Sequence, residues 1–452
     1  MNHQRGNEKF EYMTKTPVAP LIGKLAVPTI ISMLVNTFYN LVDSYFVGKL
    51  STSMAGAVGV VYPLTMIMQA IAFLFGHGSG NFVSRKLGEK ETEKATKMVS
   101  CGFYYSFVVG ILIMAVGLCV PGPLTDLLGA TVTIRPYAVS YLIYILIGAP
   151  FFMSSLVINN QLRFQGNAMY AMIGMVTGAV VNMVLDPVLI FSCNMGVSGA
   201  ALATMISQIV SFVILLIGTT RGGSIRISFK NFSFDFYYVK EIFRGGVPSL
   251  FRQGLGSLAS ICLNQAAGPI GGDAAITGMS IVSRIMMFTG SALIGFGQGF
   301  QPVCAFNYGA GFYKRVKESF VFCVKIATVV MLVLSSLGWI FAPELVAIFK
   351  KEDPEVIEIA TNALRYQCVT FPFSGWIVMV NMMLQSVGKA VPASITAACR
   401  QGLFFIPMVL ILPGLWGMNG VYFAQPLADF FTLLLSVPFG LHFLKQLDAR
   451  TS

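Results

Sequence analysis

Apolar residues run along this chain in long blocks, each closed off by a short polar stretch, and the pattern recurs twelve times. The blocks cover 25–48, 54–76, 98–120, 136–159, 168–192 and 197–218, then 242–268, 275–300, 319–342, 357–384, 392–413 and 418–444. Each reaches the roughly 17–25 residues that a helix needs to cross about 30 Å of hydrocarbon. The pattern therefore predicts an all-α polytopic membrane protein with twelve transmembrane helices.

The blocks also repeat as a set. Val27-Pro28 returns as Val247-Pro248; Gly76-x-Gly78 followed by Gly88 returns as Gly297-x-Gly299 followed by Gly309; Gly196-x-x-Gly199 returns as Gly417-x-x-Gly420. The offset is 220 or 221 residues and spans six helices. An even number keeps matching helices in one orientation, so the halves are parallel repeats about an axis along the membrane normal, flanking a central cleft. The expected division is an N-terminal lobe at 1–218, a cytoplasmic linker at 219–241 and a C-terminal lobe at 242–452. The basic residues set the orientation. With a cytoplasmic N-terminus, the loop clusters around Arg85–Lys97, Arg221–Arg244 and Lys314–Lys317 all lie inside, and only Lys49, Arg135, Lys350 and Lys351 lie outside. Both termini are expected to be cytoplasmic.

Composition narrows the class further. With 55% hydrophobic and 11% charged residues and a mean hydropathy of +0.74, the chain is far more apolar than a soluble domain, in which about a quarter of residues are charged. The net charge of +11 is accounted for by orientation in the bilayer, so no nucleic-acid partner is expected. The first twenty residues are polar and hold no signal-peptide core. Eight cysteines are scattered singly without CxxC spacing and three histidines are dispersed, which argues against disulfides or a metal cluster. No GxxxxGK[ST] motif is present, so nucleotide hydrolysis and enzymatic activity are not expected.

Against this background a few polar residues stand out. Asn36, Asn40 and Asp43 share one face of the first helix at i, i+4, i+7. Asn182 and Asp186 lie one turn apart in the fifth. A carboxylate inside a spanning helix costs roughly 2.5–3.5 kcal/mol on the insertion scale and is seldom kept without a task. Counting from the outer ends at roughly 1.5 Å per residue puts Asp43, Asp186 and Thr204 about 8–10 Å deep, in one layer. Two carboxylates, the Asn182 amide oxygen and a hydroxyl supply hard ligands for Na⁺, or a shared proton site.

The twelve-helix duplicated plan, VP…NTFYNLVDSYFVG, FGHGSGNFVSRKLG, NNQLRFQGN and NMVLDP…GVSGAALAT together resemble the multidrug and toxic compound extrusion (MATE) family across residues 15–445. The aspartate in the first span, NxxxDP in the fifth and the lack of glutamate in the seventh resemble its DinF-like branch and the MepA-like bacterial group. The resemblance implies a cell-membrane antiporter that exports amphipathic, often cationic, small molecules in exchange for H⁺ or Na⁺, with no other cofactor. It further implies a cation site at Asp43, Asn182, Asp186 and Thr204, with Tyr39 and Asn159 or Asn160 as polar groups of the nearby cleft. The seventh span carries Arg252 and Gln253 where the other branch has acids, which concentrates coupling on the first lobe.

Other features bear on substrate. Phe151, Phe152, Phe288, Trp376 and Tyr39 are candidates for stacking on aromatic cations. Arg284, Lys325, Arg365 and Arg400, with Arg252, form either a basic cleft surface suited to a lipid-linked saccharide flippase or a set of snorkelling side chains. Asp429 is a ready partner for one of them. The glycines at 76, 78 and 80 are expected at a helix end, serving packing or a turn. The protein is expected to act as a monomer.

Overall fold

The structure is a computed structural model that describes residues 3–349 and 353–451, the side chains from 7 onward. Lys350 and Lys351, assigned above to the outer side, lie outside the described residues. Six long helices make up the first half: α1 (Val18–Gly48), α2 (Thr52–Gly88), α3 (Thr92–Cys119), α4 (Arg135–Phe164), α5 (Ala168–Pro187) and α6 (Gly196–Gly218). A short helix, His3–Lys15, precedes them.

The second half opens with one uninterrupted stretch of helix, Phe236–Gly309, whose 74 residues would span roughly 110 Å if straight. It is not straight. Gly272, at φ 57° and ψ −151°, breaks it, and the left-handed φ is one that glycine tolerates. The arms on either side of Gly272 are α7 and α8. Next come α9 (Tyr313–Ile340), the pair Pro354–Thr370 and Phe373–Ser386 bent by 57°, which together form α10, then α11 (Ala390–Trp416) and α12 (Met418–Ala449). Among the described residues, splitting at Gly272 and joining the bent pair accounts for twelve spans.

The helices outrun the apolar blocks. α2 extends to Gly88 because its basic end remains helical after the hydropathy falls. The glycines at 76, 78 and 80 therefore lie inside a helix and not at its end, but they do serve packing. A Cβ on Gly78 would stand 2.1 Å from the Ile242 carbonyl oxygen, and one on Gly80 2.2 Å from the Phe164 ring. The fifth span of each half carries a π-helical turn, directly after α5 at Val188–Ser192 and within α11 at Cys399–Leu403.

The repeat is visible in the seam between lobes. A Cβ on Gly88 of α2 would lie 2.1 Å from the carbonyl oxygen of Phe306 on α8, and a Cβ on Gly309 of α8 would lie 2.1 Å from that of Arg85 on α2. Phe306 is the repeat-mate of Arg85. The two contacts are thus one contact seen from both sides of a pseudo-twofold axis, as parallel repeats require. Close backbone approach through small residues is how membrane helices gain packing without a hydrophobic drive between them. Further links cross here: Ser84 Oγ donates to Pro302 O at 3.1 Å, Arg85 Nη1 to Ser386 O at 2.9 Å, and nearer the other end Thr37 Oγ1 and Ser291 Oγ sit 2.8 Å apart.

Candidate functional site

α1, α5 and α6 converge within the first lobe. The i, i+4 spacing turns Asn182 and Asp186 to the same side of α5, and the Asn182 amide Nδ2 donates to Asp186 Oδ1 at 3.3 Å and to Thr204 Oγ1 of α6 at 3.4 Å. Thr204 spends its own proton on the Ala200 carbonyl at 3.0 Å, so its oxygen is free to accept. Asp186 and Asn182 are fully buried, and Asp43 is half-buried. The carboxylates of Asp43 and Asp186 come within hydrogen-bonding reach of each other. The three residues singled out by depth and Asn182, one turn from Asp186, therefore form one cluster.

The cluster has oxygen lone pairs to spare. Asp43 Oδ1, Asn182 Oδ1 and Asp186 Oδ2 are all buried without a hydrogen-bond partner. Buried polar atoms are satisfied in the great majority of proteins, and each orphan calls for an explanation. Three oxygens from two helices, two of them on carboxylates, form a donor set that fits a small hard cation or a proton held between acids. Among the described residues no group of three or more His, Cys, Asp or Glu side chains is arranged for a metal ion.

Two tyrosines lie beside the acids, and a third, Tyr62, lies beside one of them. Tyr39, one turn before Asp43, lies within electrostatic range of Asp43, Asp186 and Tyr62; Tyr141 of α4 lies within range of Asp43, Asp186 and Tyr39. Tyr141 and Tyr62 were missed from sequence. Tyr141 stands about six residues from the outer end of its span, so the same depth count would have found it.

Other candidates are placed elsewhere. Asn40 is exposed and folds its amide back onto the Asn36 carbonyl at 2.7 Å, and Asn36 is half-buried. Asn159 and Asn160 do not face this cluster. Asn159 donates to Ala171 O at 2.9 Å, Asn160 donates to Leu156 O at 2.7 Å, and the Asn160 oxygen accepts from Arg163. Both amides are buried, with their donors spent on backbone carbonyls and the Asn160 oxygen on a neighbouring cation. Phe151 packs edge-on to Phe212 at 5.4 Å, and Phe152 packs into the core of the first lobe. Trp376 stands edge-on to Phe320 at 5.6 Å in the second lobe. Phe288 is half-buried and Arg284 exposed.

The second-lobe charges sort themselves out. Arg400 Nε donates to Asp429 Oδ1 at 2.8 Å and its Nη2 to Ser374 Oγ at 2.9 Å, making Asp429 the partner that a spanning cation requires. Arg365 reaches the Trp339 carbonyl at 3.4 Å. Arg163, in the last turn of α4, is buried at the seam, donating to Gln298 and Asn160 with His77 Nε2 at 3.5 Å.

This is a polytopic membrane protein of two six-helix lobes with an acid cluster inside the first. A family model described as MatE matches residues 28–188 and again 248–411, one segment in each half at the repeat offset, and the chain belongs to that family. It is 27% identical over 434 residues to the multidrug export protein MepA of Staphylococcus aureus strain MSSA476, covering 94% of this chain and 93% of the relative. Among solved structures it resembles the outward-facing conformation of a multidrug resistance MATE family transporter of the MOP superfamily, with TM-score 0.90, 26% identity and coverage of 95% of this chain and 96% of that one. It resembles equally a MATE structure in complex with MaL6, with TM-score 0.92, 25% identity and coverage of 97% and 99%.

Proposed function

We propose that this protein is a secondary active exporter of amphipathic, often cationic, small molecules across the cell membrane, coupled to H⁺ or Na⁺ at Asp43, Asn182, Asp186 and Thr204. The observation that carries the reading is the set of three orphaned oxygens on Asp43, Asn182 and Asp186 in one buried cluster. Two carboxylates so close repel each other when both are charged, so the cluster gains most from a bound proton or small cation. Likeness to a multidrug export protein over nearly the whole chain supports the substrate class.

Coupling follows from competition and from shape. Cation entry at the acids neutralises the pocket and displaces a cationic substrate, and each charge that crosses is worth roughly 2.3 kcal/mol per 100 mV. The geometry also supports rocking of two lobes. The backbone seam at Gly88 and Gly309 lies at the basic end of the molecule, which the charge distribution assigns to the cytoplasm. An interior seal with the acids on the other side suits an outward-open state, and the likeness to an outward-facing relative agrees with it. Pro28 inside α1 gives that helix a point of bending, since proline removes an internal hydrogen bond.

The test is ethidium efflux from proteoliposomes under separately imposed pH and sodium gradients. The parent chain is expected to respond to at least one gradient, and Asp43→Asn to neither. Gradient-dependent export by Asp43→Asn at the parent rate overturns the reading.

A further inference from the structure

The second lobe contains a cavity of about 310 Å³ lined by residues of α7, α8, α10, α11 and α12. Its walls are apolar and adaptable, with Met279, Met286, Met287, Leu263, Phe371 and Phe405 among the lining residues. Thioethers repack around varied shapes, and a concave apolar chamber with a few fixed polar groups is the usual form of a small-molecule site. Two guanidiniums and one carboxylate line it, those of Arg252, Arg400 and Asp429. Arg400 and Asp429 neutralise each other.

Among the described residues Arg252 has no such partner. Its Nη1 donates to Asn381 Oδ1 at 2.9 Å and its Nη2 to Ser249 Oγ at 3.2 Å, and both acceptors are neutral. A guanidinium carries five N–H donors, so these two bonds leave others to spare. The charge is reinforced from behind. Arg163 and His77 lie within electrostatic range of Arg252; Arg163 is buried with neutral amides for partners and its Nε has none. A spanning helix rarely keeps an unpaired cation without a function, and Arg252 stands at the wall of the chamber with a second buried cation within electrostatic range.

We propose that this cavity is a second ligand site, for an amphipathic organic anion whose apolar body fills the methionine-lined chamber and whose carboxylate or phosphate seats on Arg252. The guanidinium fork matches either headgroup with paired N–H···O bonds, which a lysine would not. The two sites then have opposite polarity: the first-lobe cluster has carboxylates to spare, and the second-lobe cavity, once Arg400 and Asp429 are paired, is left with the charge of Arg252. The site is independent of the coupling reading, because it holds its ligand at equilibrium with no ion gradient.

The experiment is calorimetric titration of the full chain in lipid nanodiscs with 1-naphthaleneacetate, its uncharged amide and 1-naphthyl phosphate, with empty nanodiscs subtracted. The parent chain is expected to bind at least one of the two anions tenfold or more tightly than the amide, and the tighter of them identifies the headgroup. Arg252→Gln is expected to bring both anions to within twofold of the amide, and Arg252→Lys to retain part of the preference. Equal affinity of all three probes for the parent chain, which needs no variant to fold, overturns the proposal. So does an anion preference that survives Arg252→Gln in a monodisperse preparation.

Discussion

The carboxylates of Asp43 and Asp186, contributed by the first and fifth spanning helices, meet within hydrogen-bonding reach inside the first lobe. Groups that share one proton or one cation act as a unit, and their effects on removal do not add. Asp43→Asn and Asp186→Asn are each expected to lower gradient-driven ethidium efflux from proteoliposomes at least tenfold. The double variant is expected to be no slower than the worse single one. Losses that multiply in the double variant would assign the acids to separate tasks.

Asn182 holds the cluster together by donating to both Asp186 and Thr204. Asn182→Leu removes this donor and one of the three orphan oxygens, so the concentration of coupling cation giving half-maximal efflux is expected to rise roughly 10- to 100-fold, the range typical of lost outer partners at ion sites. Thr204→Val keeps the shape and deletes one oxygen; its shift should be the smaller. Equal half-maximal concentrations for parent and Asn182→Leu would exclude the amide from the site.

Much of this site can be read from the chain alone, for a physical reason. Carboxylates are so costly in apolar helices that Asp43 and Asp186 stand out, and a depth count brings Thr204 to the same layer. What sequence conceals is which polar groups are already satisfied. Asn159 and Asn160 are candidates by residue type alone, and only the structure shows their amides spent on backbone carbonyls and the Asn160 oxygen held by Arg163. Tyr141 has the opposite history, because tyrosine is common in spanning helices and only its position beside the acids distinguishes it. The spans were legible, including the break near Gly272, since glycine and proline cluster there; their ends were not, because helix continues past the point where apolar character stops.

At the lobe seam, Gly88 and Gly309 face backbone carbonyls at distances no real Cβ adopts. Overpacking of this kind costs about 1–3 kcal/mol where the neighbour cannot move aside. Gly88→Ala and Gly309→Ala are each expected to lower the unfolding temperature of the detergent-solubilised chain, and by similar amounts, because the contacts are symmetry mates. A shift in only one of them would contradict the pseudo-twofold seam.

The Arg400–Asp429 pair makes a separate stability prediction. Asp429 is buried, and its carboxylate accepts from Gln425 at 3.0 Å as well as from Arg400. Asp429→Asn leaves the guanidinium without a counter-charge and should destabilise the chain by roughly 2–4 kcal/mol. Replacing both members together, as Arg400→Met with Asp429→Leu, should recover much of that loss in chemical unfolding. A double variant less stable than Asp429→Asn alone would mean that the pair is worth more than its desolvation.

Ion exchange at the acid cluster is tested most directly by adding ethidium to the purified chain, once with a pH indicator in weak buffer and once after loading with ²²Na⁺. A single cluster that trades its coupling cation for a cationic substrate predicts release of protons or of sodium from the parent chain, and of neither from Asp43→Asn or Asp186→Asn. Undiminished release from both variants would contradict the assignment of the exchange site to Asp43 and Asp186.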